Sequence, residues 1–127
     1  MTGYEKAWLE AFIFTQLIEV VVGLIWLKVI IHQHVLSWFQ TILVIFSATT
    51  ITHPPLWFLL PKLMSYFKLS YLSYLIIGEV LVILCETWWY RWTCFQKQSV
   101  HAWGEALKLS LTVNCTSWWL GNYFLNH

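Results

Sequence analysis

The chain has 127 residues, of which 59% are hydrophobic and 10% are charged, and its formal net charge is +1. An ordinary soluble domain carries about 25% charged residues, so a soluble core of this size cannot absorb the apolar surplus, which must face lipid. The seven Lys and Arg residues are dispersed, which argues against nucleic acid as a partner. The composition predicts an integral membrane protein surrounded by a lipid bilayer.

Four apolar stretches predict membrane-spanning helices at about residues 8–31, 36–60, 71–92 and 103–124. Each stretch reaches the roughly 20 residues that cross a hydrocarbon core of about 30 Å. Trp and Tyr residues collect near the ends of the stretches, as is typical of membrane interfaces. Because the connections are short, we expect one all-α domain over residues 1–127, an antiparallel four-transmembrane-helix bundle with both termini on the same side.

The first stretch is predicted to be a retained helix and not a cleaved signal peptide. It is too long for a signal sequence, carries Glu10 and Glu19, and lacks a small-residue cleavage motif. The Lys and Arg residues are divided too evenly between the two sides to fix the orientation in the membrane.

Gln16 and Glu19 share a polar stripe on the first predicted span. The functional interpretation places the Glu19 carboxyl on a cavity wall, with Gln16 one turn away to hold it. The alternative is a neutral Glu19 that hydrogen-bonds between helices and only packs them together. The sequence leaves both interpretations open.

The second span contains an unusual segment in which Thr50, Thr52 and His53 precede Pro54 and Pro55. The two prolines remove two backbone donors, so the helix is predicted to kink or break at His53. Unwound backbone at membrane depth is tolerated where it lines a cavity, and broken helices recur at transporter ion sites. The alternative is a simple proline kink whose carbonyls are capped by Thr hydroxyls.

In the third span, Glu79 and Glu86 lie seven residues apart and therefore on one face of a helix. Two carboxyls on one face suit a proton relay or cation binding. Glu86 lies near an aromatic belt, where pairing with Arg91 is an ordinary explanation for it. Glu79 is therefore the favoured functional residue of the two.

The fourth span carries a stripe of small and polar residues at helical spacing, which predicts a helix-packing face. Its members are Ser110, Asn114, Ser117 and Gly121. Asn114 is the exception within this stripe, because its amide both donates and accepts. It is predicted to bridge to Glu19 or Glu79.

If the spans alternate in direction, one polar residue from each falls about 11–16 Å from the same membrane face, given the 1.5 Å rise of a helix. The predicted ion- or proton-binding residues are Glu19, His53, Glu79 and Asn114. Predicted supporting residues are Gln16, Thr50, Thr52, Pro54, Pro55 and Glu86. No residue is predicted to be catalytic, and the sequence requires no cofactor. The sequence leaves open whether a metal binds, with His53, Glu79 and Glu19 as the candidate ligands.

The size and the number of spans are similar to those of fluoride channels and small multidrug exporters, whose glycine-rich signatures are missing here. The chain more closely resembles a group of small four-span bacterial membrane proteins without an assigned function. The resemblance lies in Glu19, in Thr52-His53-Pro54 followed by Leu56-Trp57-Phe58, in Glu79 with Glu86, and in Asn114. It carries no activity with it. We expect a location in a bacterial inner (cytoplasmic) membrane.

Three functional hypotheses follow from these residues. The first is an ion- or proton-coupled transporter or channel that acts as a homo-oligomer, because four spans enclose little lumen. The second is a non-catalytic subunit of a larger membrane complex, one that holds a pigment or cofactor. The third is a metal-dependent intramembrane enzyme that uses Glu79 and His53.

Overall fold

A computed structural model describes residues 2–95 and 100–125, and over these residues the fold is entirely helical. Helix α1 spans Gly3–Ile30 and α2 spans Trp38–Tyr66. Helix α3 spans Tyr71–Thr93 and α4 spans Ala102–Leu125. The four helices coincide with the four apolar stretches of the sequence, with ends shifted by up to six residues.

Local sequence determines where three of the helices begin. Thr2 and Glu5 form a capping box at the start of α1, in which each side chain bonds the other residue's backbone N–H. Ser37 and Gln40 repeat this arrangement at the start of α2. The Ser70 hydroxyl accepts a bond from a backbone N–H in the first turn of α3. Such caps satisfy N–H groups that have no partner inside the helix.

The helices form a ring in which each packs against its neighbours in sequence, and α4 closes the ring against α1. Tyr4, early in α1, contacts Trp57 late in α2. Gly23, late in α1, faces Ile45 early in α2, so these two helices run antiparallel. Equivalent pairs join the other neighbours: Tyr74 with Leu56, Trp92 with Trp103, and Phe14 with Phe124. We call the end of the bundle where α1 begins and α4 ends the terminal end.

Three of these helices, α1, α2 and α3, are long and apolar enough to cross a bilayer. The fourth predicted span also forms a helix, α4, of 24 residues. It is the least apolar of the four because it carries Glu105, Lys108 and two asparagines. The prediction of a helical membrane protein is confirmed, whereas the fourth crossing stays a prediction.

The second helix continues through its prolines without unwinding. Both keep helical angles, with φ −61° and ψ −45° at Pro54 and φ −61° and ψ −35° at Pro55. His53 lies inside the α-helical segment Trp38–Pro54. Hydrogen bonding changes from α to π over Pro55–Leu59. The sequence predicts a kink or break at these prolines, which lack N–H donors. The structure instead shows a change from α to π hydrogen bonding within a continuous helix.

A tyrosine hydroxyl donates a hydrogen bond to one backbone carbonyl of this π segment. The Leu60 N–H donates to the Pro55 carbonyl in the π pattern, so it is not the partner of Leu56. Pro61 has no N–H and cannot replace it. The Tyr74 hydroxyl of α3 donates to the Leu56 carbonyl at 3.0 Å. The irregular turn of α2 is thus tied directly to α3.

The apolar core fills the half of the bundle that lies away from the terminal end. Its buried members are Leu27, Ile45, Ala48, Tyr90, Cys94, Ala106, Leu109 and Val113. Gly23 allows α2 to approach closely, because a Cβ built there would lie 2.5 Å from Ile45 Cδ1. The polar residues named above lie mainly in the other half.

We expect Gly23→Leu to destabilise the protein by about 1–3 kcal/mol, because the added side chain overpacks the α1–α2 contact. Gly104→Leu is the matched control, since a Cβ at Gly104 meets nothing within 4 Å. Reversible unfolding in mixed detergent micelles measures both changes. Equal loss of stability in the two variants would contradict this packing.

Candidate functional site

A cavity of about 490 Å³ occupies the terminal half of the bundle and is lined by residues from all four helices. On α1 its lining residues run from Tyr4 to Glu19, a span of about 22 Å at the helical rise. Thr49 and Asn114 line it at the depth of Glu19. Beyond this level the interior is filled by the apolar core, so the cavity is closed at its inner end.

The cavity brings together the four residues predicted to bind ions or protons. Glu19, His53, Glu79 and Asn114 all line it, one from each helix. They lie together because axial depth follows from residue number when helices alternate in direction. The supporting residue Thr52 also lines the cavity. Its hydroxyl donates to the Ala48 carbonyl at 3.1 Å.

Glu19 is the deepest carboxyl of the cavity, and its side chain is held from two other helices. The Thr49 hydroxyl of α2 donates to Glu19 Oε2. The Ser117 hydroxyl of α4 donates to Glu19 Oε1 at 3.0 Å. Glu19 is 1% exposed. A buried carboxyl needs such partners, because burying even an amide or hydroxyl without a hydrogen bond costs about 2–7 kcal/mol and an ionised carboxylate costs far more.

Gln16 does not hold Glu19, contrary to the sequence interpretation. Its Nε2 donates to the Phe46 carbonyl and to Thr50 Oγ1, both at 3.0 Å. The Thr50 hydroxyl in turn donates to the Phe46 carbonyl at 2.8 Å. Gln16 is therefore a link between α1 and α2, since the side chain turns sideways toward α2 and not along its own helix.

Asn114 bonds to Glu86, a partner that the sequence did not indicate. Its Nδ2 donates to Glu86 Oε1 at 3.2 Å and to the Ser110 carbonyl at 2.9 Å. Glu86 is 1% exposed, so its interpretation as an interfacial residue paired with Arg91 is wrong. The Arg91 guanidinium lies over the ring of Trp92, 4.5 Å from its centroid.

These bonds form a polar layer that crosses the bundle between the cavity and the apolar core. We define it as Thr49, Glu19, Ser117, Asn114 and Glu86. Asn114 and Ser117 lie three residues apart on α4, so this helix connects the Glu86 side of the layer with the Glu19 side. Each of the four helices contributes at least one member. The layer fixes the rotation of the helices about their axes as well as lining the cavity.

His53 lies in an aromatic environment on the cavity wall. Its ring stacks on Trp57, with centroids 6.0 Å apart, and meets Phe12 edge-on at 5.5 Å. It is 8% exposed. Nδ1 is buried without a hydrogen-bond partner among the described residues. An unpartnered polar atom of this kind calls for an explanation, since most buried polar groups are hydrogen-bonded.

Glu79 is half-buried on the wall between the π segment of α2 and the polar layer. The adjacent Gly78 packs against Leu56, whose Cδ1 would lie 2.6 Å from a Cβ at that position. Within residues 2–95 and 100–125, no hydrogen bond to the Glu79 carboxyl is found. Its carboxyl is thus the least constrained of the deep acidic groups.

The sequence interpretation missed several lining residues. Glu10 and an aromatic set lie on the cavity wall, the aromatic residues being Tyr4, Trp57, Tyr71, Tyr74 and Trp118. These aromatics were interpreted as interface markers or not singled out at all. Several of these aromatic residues lie close to helix ends that antiparallel packing brings together at the terminal end. Their positions in the sequence could therefore have predicted that they share one site.

The candidate metal ligands His53, Glu79 and Glu19 do not form a metal-binding group. In the described part of the chain, no set of three or more His, Cys, Asp or Glu side chains is placed to hold a metal ion. A Glu/His metal centre needs three or four such ligands around one point.

Comparison of the chain with protein-family models, curated proteins and solved structures finds no match. The resemblance to small four-span bacterial membrane proteins therefore stays a prediction.

We expect Asn114→Leu to destabilise the protein by about 1–3 kcal/mol, because it leaves the buried Glu86 carboxyl without its donor. Thr112→Val is the control on the same helix, since the Thr112 hydroxyl bonds only the Lys108 carbonyl one turn away. Reversible unfolding in mixed micelles reports both.

The double variant Asn114→Leu with Glu86→Leu should recover much of that loss, because removing both partners is less costly than stranding one. Additive losses in the double variant would contradict the Asn114–Glu86 bond.

Proposed function

We propose that this chain is a small integral membrane transporter in which Glu19, His53 and Glu79 bind or relay protons or a cation. All four helices cross the membrane in this proposal, with both termini on the same side of a bacterial inner membrane. The protein acts as a homo-oligomer, because four helices alone enclose little space beyond the cavity.

The observation that carries the proposal is the chemistry of the cavity wall. Among the described residues, three carboxyls and one imidazole line the cavity, those of Glu10, Glu19, Glu79 and His53, whereas no Lys or Arg does. Ionisable groups inside membrane helices are costly and mark ion pathways and proton relays. Such a wall favours cations and protons over anions.

The closed inner end favours a transporter over an open channel. Leu27, Ile45 and Leu109 are completely buried in the half of the bundle beyond the polar layer. A continuous aqueous pore would need these side chains to separate. A cavity open toward one end fits one state of an alternating-access cycle, in which helices move to expose the site to the other side.

Inclusion of α4 as a span is supported by its packing between α1 and α3. Its polar residues Ser110, Asn114 and Ser117 are buried. By contrast, Trp119 is 63% exposed and does not line the cavity, as expected for contact with lipid. At 24 residues the helix is long enough to cross a hydrocarbon core.

We expect Glu19→Gln to abolish proton or cation flux, because it removes the ionisable group at the inner end of the cavity. The measurement is flux into proteoliposomes followed with an internal pH indicator and a potential-sensitive dye. Glu105→Gln is the control, because Glu105 pairs with Lys108 at 3.3 Å and does not line the cavity.

Gel filtration of each variant establishes that it remains folded and of unchanged size. Unchanged flux in both Glu19→Gln and Glu79→Gln would overturn the proposal. Co-purification of stoichiometric larger subunits, together with absence of flux, would favour the alternative of a subunit in a larger assembly.

A further inference from the structure

We propose that the cavity binds an organic ammonium ion, held by the Glu79 carboxyl and by the surrounding aromatic rings. This inference deepens the proposed function, since it names the class of substrate that the same cavity takes.

The size of the cavity points to an organic ligand. Its volume of about 490 Å³ lies within the range of about 300–1,000 Å³ typical of small-molecule sites. A divalent metal ion would need several ligands gathered around one point. Among the described residues, no three His, Cys, Asp or Glu side chains are gathered in this way. The polar groups are spread along the wall instead.

The wall provides aromatic faces beside the carboxyls. Tyr4 contacts Trp57, with ring centroids 5.4 Å apart, and Tyr71 stacks on Tyr74 at 5.9 Å. Trp118 lines the cavity from α4. Aromatic faces attract cations within about 6 Å of the ring centroid, and aromatic cages recognise quaternary ammonium groups. Rings also accommodate the apolar substituents of such a ligand.

Glu79 is the best placed counter-ion. Glu19 is 1% exposed and accepts bonds from Thr49 and Ser117, so its carboxyl is held inside the polar layer with little surface open to a ligand. The Glu79 carboxyl is half-buried on the cavity wall, and no bond from the described residues restrains it. A charge that is partly removed from water attracts an opposite charge more strongly than one on the surface. Glu79 therefore contacts the ammonium group, whereas Glu19 holds α2 and α4 in place at the inner end of the cavity.

His53 adds to the aromatic surface of the wall. It lines the cavity and is 8% exposed. Its imidazole ring stacks on Trp57 and meets Phe12 edge-on. The apolar substituents of an organic ammonium ion would pack against this aromatic part of the wall.

The test compares two molecules of the same shape, phenyltrimethylammonium and its neutral isostere tert-butylbenzene. Binding of radiolabelled phenyltrimethylammonium to the purified protein in detergent is measured by equilibrium dialysis, and tert-butylbenzene serves as competitor. We expect saturable binding that the neutral isostere does not displace. Glu79→Gln should weaken binding at least tenfold.

Trp118→Ala should weaken binding about 2- to 30-fold, the range expected for loss of one cation–π contact. Trp119→Ala is the matched control, because Trp119 is the next residue on α4, is 63% exposed and does not line the cavity. Retained gel-filtration profiles exclude unfolding as the cause of any loss.

Equal displacement by tert-butylbenzene, or equal effects of Trp118→Ala and Trp119→Ala, would overturn the inference. So would wild-type protein that binds no phenyltrimethylammonium. Proton flux in proteoliposomes separates this outcome from failure of the proposed function. Flux without organic-cation binding refutes only the ligand class, whereas binding without any flux refutes transport.

Discussion

The structure depends on the burial of one carboxyl, that of Glu19, between hydroxyls from two other helices. Thr49 reaches it from α2 and Ser117 reaches it from α4. A carboxyl at this depth is tolerated only with such partners. These bonds therefore fix the rotation of three helices relative to one another. Asn114 extends the same constraint to α3 through Glu86.

The polar layer divides the bundle into two halves with different roles. On one side, close packing of apolar side chains such as Leu27 and Leu109 supplies stability. On the other side, the helices enclose a cavity whose wall combines carboxyls with aromatic rings. The prolines of α2 lie beside this cavity, and tyrosine hydroxyls tie the π segment to α1 and α3. The closely packed apolar core and the cavity are thus separated along the axis of the bundle.

Axial position could be predicted from the sequence, whereas side-chain partners could not. Residue number and helical rise set the depth of Glu19 and Asn114, which is why a common level was predictable. Their partners depend on how each helix is rotated about its axis, and packing across all four helices decides that rotation. Gln16 consequently bonds α2, and Glu86 lies inside the bundle. The prolines predicted a disturbance of α2, but the bond from the Tyr74 hydroxyl of α3 to the Leu56 carbonyl was not predictable from the sequence of α2.

One-sided access to the polar layer is the central claim, and thiol labelling tests it most directly. Thr15 lines the cavity, whereas Thr41 is completely buried in the closed half. Thr15→Cys and Thr41→Cys are introduced separately into a background in which Cys85, Cys94 and Cys115 are replaced by Ala. A membrane-impermeant maleimide is then applied to each side of oriented proteoliposomes. We predict that Thr15→Cys reacts from the terminal side alone and that Thr41→Cys reacts from neither side. Labelling of Thr15→Cys from the opposite side, or of Thr41→Cys from either side, would contradict the account.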